Sequence, residues 1–214
     1  MMQLTSFGLL MGLCLTQGLA AQAPRPANPE TNSDLEQAAR DVASHPYGII
    51  ATNGAHIGLA GSLQVDFGAT NVAITPLLGP DAPQSMPLTI AASQVMRGSE
   101  ALHGFGERKA QLRSDDVIDF ALGHGVTERF VTREDGLKHS FFFASRPAGS
   151  GDLAVRLTVQ TLLACQANAH AEQLQFSAGT LGSIHIGAVV GIDRTGQRAD
   201  GYMRFDGEHL DLVL

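Results

Sequence analysis

Residues 153–160 read LAVRLTVQ, and this stretch decides the fold class. Large apolar residues recur at every second position, and Arg156, Thr158 and Gln160 occupy positions between them. A period of two is typical of a β-strand that packs one face on a core and leaves the other face in water. The stretch therefore predicts an antiparallel sheet with one buried face.

The same alternation returns along most of the chain. It occurs in the segments 63–67, 118–122, 174–176, 190–192 and 210–214. Turn signals stand between such segments at 134–136, 193–196 and 206–207. The last of these, Asp206-Gly207, suits a two-residue hairpin, and Gly196 suits the left-handed position that closes a type I turn. Many short strands separated by turns predict an all-β fold, an antiparallel β-sandwich over residues 47–214.

Length and composition restrict the class of protein further. The chain has 214 residues, of which 16% are charged and 44% hydrophobic, and this fits one globular domain rather than a disordered or fibrous chain. The formal net charge is −7 and there is no basic cluster, which argues against nucleic acid as a partner. One apolar stretch approaches membrane length, and this excludes a polytopic membrane protein.

That apolar stretch lies at the N-terminus. Residues 4–20 read LTSFGLLMGLCLTQGLA and carry no charge, as in the core of a secretory signal peptide. Cleavage after Ala20 or after Ala23 satisfies the small-x-small rule. We therefore predict a signal peptide at 1–23 and a secreted, extracellular protein. An uncleaved N-terminal anchor is the alternative, since about 17 apolar residues is the lower limit of a membrane span.

A spacer and a short helix are predicted to follow at 24–46. Residues 24–32 read PRPANPETN, a proline-rich composition that favours extended or disordered chain. Ser33 and Glu36 then form a capping box, which predicts a short helix over 34–44 that Pro46 terminates. Cleavage of the signal leaves Cys165 as the only cysteine, so no intrachain disulfide can form, and its apolar neighbours predict a buried, inert thiol.

Four groups of residues could carry chemistry. His170 and Glu172 could offer two metal ligands, but 164–173 lacks alternation and is predicted to be a solvated loop. His185 lies between two isoleucines and is predicted to be an exposed strand histidine. The other two groups are an acidic cluster and a turn motif: Asp115, Asp116 and Asp119 beside Arg113, and the sequence 193–196 (DRTG).

The acidic cluster could bind calcium through its carboxylates, but it lacks the spacing of a calcium loop. We predict a solvated edge there instead. In the sequence DRTG, the inserted Arg194 breaks the Asp-Thr-Gly motif of aspartic proteases, and a turn explains the residues. Gly104-Phe105-Gly106 lacks the third glycine of a dinucleotide fingerprint. No catalytic, cofactor-binding or metal-binding residue is assigned, and no cofactor is predicted.

The second half of the chain resembles a known module. The matching segments are 126–130 (VTERF), 134–141 (EDGLKHSF), 146–157 (RPAGSGDLAVRL), 174–176 (LQF), 186–198 (IGAVVGIDRTGQR) and 205–212 (FDGEHLDL), with 55–75 similar to its opening strands. In this order they resemble the N-terminal β-rich domain of large secreted bacterial proteins that carry FG-GAP or other propeller-type repeats. The motifs are strand and turn patterns, and the resemblance implies a fold and an exported, non-catalytic module.

These observations predict a secreted, non-catalytic structural or interaction module of adhesion type in a bacterial extracellular protein, and not an enzyme. Its partner would be an unidentified protein or cell surface, with no membrane contact after signal cleavage. One alternative is a small secreted hydrolase, in which Asp116 and Glu128 converge with His124 or His139 in a cleft. The other is a calcium- or ligand-binding module. If the chain ends at Leu214, its last strand is expected to be an open edge available for self-association.

Overall fold

The computed structural model describes residues 7–14, 47–52 and 55–214, with backbone alone for the first range. The predicted spacer and the helix at 34–44 lie outside the described residues. Among those that are described, no helix has the length and apolar character that crossing a membrane requires. The predicted signal peptide at 1–23 stays a prediction, although part of it, 7–14, is a strand in the structure.

Strands dominate the described chain. In chain order they are β1 (Phe7–Cys14), β2 (Tyr47–Thr52), β3 (Ala55–Ala60), β4 (Leu63–Phe67), β5 (Val72–Pro76), β6 (Leu88–Arg97), β7 (Glu100–Gly104), β8 (Lys109–Ser114), β9 (Val117–Gly123), β10 (Val126–Arg133), β11 (Gly136–Phe143), β12 (Leu153–Thr161), β13 (Asn168–Ala171), β14 (Leu174–Ser177), β15 (Ser183–Ile192), β16 (Arg198–Asp200), β17 (Tyr202–Phe205) and β18 (His209–Val213). A single turn of 3₁₀-helix, Gly179–Leu181, precedes β15.

The strands form two antiparallel sheets. The first has the order β14-β15-β1-β11-β10-β9-β8, with β16 also paired to β15. The second has the order β13-β17-β18-β12-β6-β5-β4-β3-β2, with β7 also paired to β6. The prediction of an all-β, antiparallel sandwich-like fold is confirmed. Every segment singled out for its alternation contributes to a strand, namely β4, β9, β12, β14, β15 and β18.

The core lies between the inner faces of the two sheets. In the stretch that decided the fold class, Leu153, Val155, Leu157 and Val159 are buried. Aromatic contacts join the sheets at two places. Phe67 of the second sheet lies 5.6 Å from Phe130 of the first, and Phe176 of the first sheet meets Phe205 of the second edge-to-face at 5.3 Å. The alternating residues of β4, β12 and β14 therefore lie in the core. In 190–192 the phase differs, because Val190 and Ile192 are half-buried and Val189 is the buried residue.

The predicted turns form, although the loop between β17 and β18 spans residues 206–208 and not the predicted two residues. The amide of Gly196 donates to the carbonyl of Asp193 at 3.0 Å, and Gly196 has a φ of +85°. Gly207 has a φ of +107° in the hairpin between β17 and β18. These positive φ values explain why glycine stands at both turns, since other residues adopt them at a cost.

Two predictions about strands are wrong. The segment 164–173 is not wholly a loop, because it contains β13, a four-residue edge strand paired only with β17. Three of its four residues are exposed, so it carries no alternation. The last strand, β18, is not an open edge, because it lies between β12 and β17. Its pairing with β12 joins residues far apart in sequence, and a local pattern cannot show such pairing.

Gly201 lies where the chain passes from β16 in the first sheet to β17 in the second. Its amide donates to the carbonyl of Val189 at 2.8 Å. A Cβ added there would lie 2.8 Å from the side chain of Val189 and would overlap the carbonyl oxygen of Val213. The close approach of the two sheets at this point therefore depends on the missing side chain.

We expect Gly201→Ala to lower the free energy of unfolding by about 3 kcal/mol, because backbone must shift to admit the methyl group. Gly106→Ala is the matched control, since its added Cβ meets no atom within 4 Å and its φ is not positive. The control should change stability by less than about 0.5 kcal/mol. Urea unfolding of the two variants measures both values, and equal stabilities would contradict the close approach.

Candidate functional site

A cluster of charged and polar side chains is buried on the face of the first sheet that packs on the core. It consists of Arg108, Glu128 and His139, whose exposed fractions are 6%, 1% and 1%. One oxygen of the Glu128 carboxylate, Oε2, accepts a hydrogen bond from Arg108 Nη1. The other, Oε1, lies 2.8 Å from Nε2 of His139. Both carboxylate oxygens are therefore engaged by neighbouring side chains.

The strand alternation places the two polar residues inward. Glu128 occupies the buried phase of β10 together with Phe130, and His139 occupies a buried position of β11 together with Phe141. Phe130 stacks on the imidazole of His139 at a centroid distance of 4.2 Å. The guanidinium of Arg108 lies 4.1 Å over the ring of Phe120. Aromatic faces thus surround the charged groups and keep water from them.

Burial determines the protonation of the cluster. It lowers the pKa of His139 to about 3, and the positive charge of Arg108 acts in the same direction. Burial also lowers the pKa of Arg108 to about 10, so the guanidinium remains charged at neutral pH. A neutral imidazole that donates from Nε2 to Glu128 satisfies these conditions. The cluster then contains one positive charge, on Arg108, and one negative charge, on Glu128, while His139 is neutral. We call this arrangement a closed ion pair, because both carboxylate oxygens are engaged.

The hydrolase alternative named four residues, and the structure brings only two of them together. Glu128 and His139 are in contact. Asp116 lies in the turn between β8 and β9, where its carboxylate accepts a hydrogen bond from Ser114 Oγ at 2.6 Å. His124 lies in the turn between β9 and β10. The expected convergence of Asp116 and Glu128 with one of the histidines is therefore wrong, because Asp116 lies in a turn and pairs with Ser114 instead.

His124 contributes to a separate pocket of about 340 Å³. Its ring stacks on His103 at 4.5 Å, and Phe143 and Arg146 also line the pocket. His124 has a φ of +51°, which is unusual for a residue other than glycine. Burial and the nearby charge of His124 both lower the pKa of His103. The pocket is a surface recess with two imidazoles and one guanidinium.

The acidic cluster beside Arg113 is not a solvated edge throughout. Asp119 is only 3% exposed. Arg129 holds its carboxylate through two hydrogen bonds of 2.6 and 2.8 Å, and Arg113 adds a third at 2.8 Å. Burial alone would raise the pKa of Asp119, but the hydrogen bonds and charges of the two arginines outweigh it and lower the pKa. The sequence prediction failed because long arginine side chains cover the carboxylate.

The second sheet carries a similar arrangement that sequence reasoning missed. Asp211 of β18 accepts two hydrogen bonds from Arg156 of β12, at 2.7 and 2.9 Å. Arg204 of β17 approaches the same carboxylate at 3.6 Å. Arg156 and Asp211 are register partners, as are Arg129 and Asp119 in the first sheet. Opposite charges at outward-facing positions of two strands could have indicated these ion pairs. That indication becomes usable only when the pairing of the two strands is known.

The remaining candidates are held by local contacts. His170 stacks on Tyr202 at 4.0 Å. His185 is half-buried rather than exposed, and its Nε2 lies 3.0 Å from Ser183 Oγ. Cys165 is half-buried, and burial raises the pKa of its thiol. Over the described ranges, no three histidine, cysteine or carboxylate side chains gather as a bound metal would require.

Comparisons with known proteins identify no relative. No protein-family model matches the sequence, and neither a curated protein nor a solved structure matches it.

We expect Glu128→Gln to lower the free energy of unfolding by about 3–5 kcal/mol, because it leaves the Arg108 charge buried without a counter-charge. Asp135→Asn is the matched control, since it breaks the exposed ion pair of Asp135 with Arg133. It should cost about 1 kcal/mol or less. Urea unfolding of the two variants measures the difference.

The double variant Arg108→Met with Glu128→Gln completes this test. It removes both charges, so it should recover a large part of the stability that Glu128→Gln loses. A double variant no more stable than Glu128→Gln alone would contradict the ion-pair interpretation.

The buried histidine should make stability depend on pH. An unfolded chain protonates histidine near pH 6.5, whereas His139 in the fold has a pKa of about 3. Between these values the unfolded state binds one more proton than the folded state. The free energy of unfolding therefore decreases by about 1.4 kcal/mol for each unit by which the pH is lowered. We expect His139→Gln to lose this part of the slope between pH 6.5 and pH 4.

Urea unfolding at intervals of one pH unit measures the two slopes. His170→Gln, at an exposed histidine, is the control and should follow the parent protein over the same range. If His139→Gln and the parent give parallel curves, the imidazole is not held neutral by burial.

Proposed function

We propose that the protein is a secreted, non-catalytic structural or interaction module of a bacterial extracellular protein. The observation that carries this proposal is the closed ion pair of Glu128. Its carboxylate is 1% exposed, and both of its oxygens are hydrogen-bonded by Arg108 and His139. A general acid or nucleophile must reach a substrate, and a carboxylate in this position serves the stability of the fold instead.

Two sequence features support the extracellular part of the proposal. Residues 4–20 have the length and apolar character of a signal-peptide core. The strand and turn motifs from residue 126 onward resemble an N-terminal module of secreted repeat proteins. A fold that holds without a disulfide is compatible with export, because its core is large and continuous between the two sheets.

The other buried carboxylates support the same interpretation. Asp119 and Asp211 are each clamped by two arginines on the outer face of a sheet. Arg129 is the direct register partner of Asp119, and both Arg156 and Arg204 are register partners of Asp211. These charges fix the register of neighbouring strands, which is a structural task. We therefore assign the charged residues of the sheets to the stability of the fold. Binding of a partner would then use backbone groups and surface residues.

The proposal predicts that protein recovered from the extracellular fraction of the native organism lacks its first 20 or 23 residues, as intact mass will show. It also predicts that this protein does not hydrolyse fluorogenic esters, glycosides or peptides at a rate above buffer. The physical reason is that Glu128 has no free oxygen for a substrate.

Asp116→Asn and Glu128→Gln are the informative variants if turnover is seen, with Asp135→Asn as the control. Turnover that one of the first two variants abolishes, and that Asp135→Asn retains, would replace the proposal with the hydrolase alternative. An exported species of full mass would argue against the signal peptide.

A further inference from the structure

The backbone of Phe7–Cys14 occupies the middle of the first sheet. As strand β1 it pairs antiparallel with β11 on one side and with β15 on the other. The same residues lie within the segment 4–20, which is predicted to be removed on export. The segment that the signal-peptide prediction removes is thus the one that fills a central position of the sheet in the structure.

Removal of β1 would leave β11 and β15 facing each other across an empty position. We call this position the strand slot, bounded by β11 (Gly136–Phe143) and β15 (Ser183–Ile192). It would be roughly 9–10 Å wide, twice the ordinary spacing of strands. Each bounding strand would present a row of unpaired backbone amides and carbonyls, and such rows readily pair with another strand.

The second sheet holds the two sides of the slot apart. On one side, Phe130 of β10 packs on Phe67 of the second sheet. On the other side, Phe176 of β14 packs on Phe205, and Val189 of β15 accepts a hydrogen bond from Gly201. Each half of the first sheet is therefore anchored independently of β1.

Strand direction also opposes closure of the slot. Both β11 and β15 run antiparallel to β1, so they run parallel to each other. Direct pairing would need a movement of about 5 Å and a parallel ladder in a sheet that is otherwise antiparallel. Such a movement would break the contacts of Phe176 or of Phe130 with the second sheet. The slot is therefore better filled by a strand than closed.

The register defines the strand that fits. Phe7, Leu9 and Met11 are the register partners of the buried residues Phe143, Phe141 and His139 of β11. After a bulge, Leu13 is the partner of the buried Ile186 of β15. Every second position of the occupant therefore pairs with buried neighbours, and in the chain's own segment all four of these positions are large and apolar.

We propose that the exported protein accepts, in the strand slot, a β-strand donated by another exported polypeptide. The donated strand has about eight residues, runs antiparallel to both β11 and β15, and carries large apolar side chains at alternate positions. This inference rests on the proposed interaction function and names the chemistry of the partner. It is strand addition to two edges at once, which supplies backbone hydrogen bonds on both sides of the donor.

A second copy of this chain is a poorer donor. Among the described strands, the edges β8 and β13 read KAQLRS and NAHA and do not alternate large apolar residues. The edges β2 and β14 read YGIIAT and LQFS, and both are shorter than the eight-residue strand that the slot accepts. The segment 24–32 contains three prolines, which a central strand does not accept. The edge strands of the described chain thus do not match the required length and pattern, and this favours a different polypeptide.

The test uses the exported protein after its mass has shown cleavage. The probe is a synthetic peptide of residues 7–14 with Cys14→Ser and three added lysines for solubility. We expect saturable binding of one peptide per protein and a higher melting temperature. Amide hydrogen exchange should slow in β11 and β15 when the peptide binds. A protein that is unfolded alone and folds on addition of the peptide gives the same support.

Two control peptides separate strand addition from general apolar contact. Leu9→Asp with Met11→Asp places charges opposite buried residues and should weaken binding by about 100-fold or more. A peptide with N-methyl groups at Leu9 and Met11 keeps the side chains but loses two backbone donors, and it should also fail to bind. Equal binding of the parent and both controls would overturn the proposal.

Other outcomes also decide against the slot. If the cleaved protein binds no peptide and its β11 and β15 amides are already protected, the slot is closed. If the cleaved protein stays unfolded when the peptide is added, β1 is not replaceable. If the exported protein retains residues 1–23, the strand serves its own chain. Carboxylate-dependent hydrolysis would defeat the proposed function separately, because peptide binding is measured independently of turnover.

Discussion

A central strand must have hydrogen-bond partners along both of its edges, and this constraint governs the first sheet. Its centre is Phe7–Cys14, which joins the half formed by β14, β15 and β16 to the half formed by β8 through β11. The second sheet has no such dependence, because its central pairs β6–β12 and β12–β18 come from the body of the domain. The continuity of the first sheet thus depends on one short segment, β1, whereas that of the second sheet does not.

The interior of the sandwich meets a second constraint, because a charge placed there needs a counter-charge and hydrogen bonds. Glu128 satisfies it through Arg108 and His139, and aromatic rings cover the remaining surface of the cluster. On the outer faces, Asp119 and Asp211 satisfy it through pairs of arginines. Polar side chains therefore specify strand register at three points, while apolar burial supplies the driving force.

The sequence was sufficient for the fold class because the period of two is a local property, visible at Leu153 through Val159 without knowledge of any partner strand. The buried cluster had a local signal as well, since Glu128 and His139 take the inward phase beside Phe130 and Phe141. Arg108 had none, because it lies in the loop before β8, and β8 is connected to β10 only through its pairing with β9. The clamp of Arg156 on Asp211 depends on pairing across 55 residues. Contacts of that kind follow from topology, which a single sequence does not display.

The two constraints meet at His139. This residue is the register partner of Met11 in β1, and its imidazole donates to the buried carboxylate of Glu128. The strand that fills the centre of the first sheet thus runs directly beside β11, the strand that carries the histidine partner of the buried carboxylate. Because burial is the main reason that the pKa of His139 is low, and because exclusion of water strengthens its hydrogen bond to Glu128, the electrostatics of the cluster depend on an intact sheet around it. Backbone pairing in the sheet and charge pairing in the core are therefore parts of one structural unit.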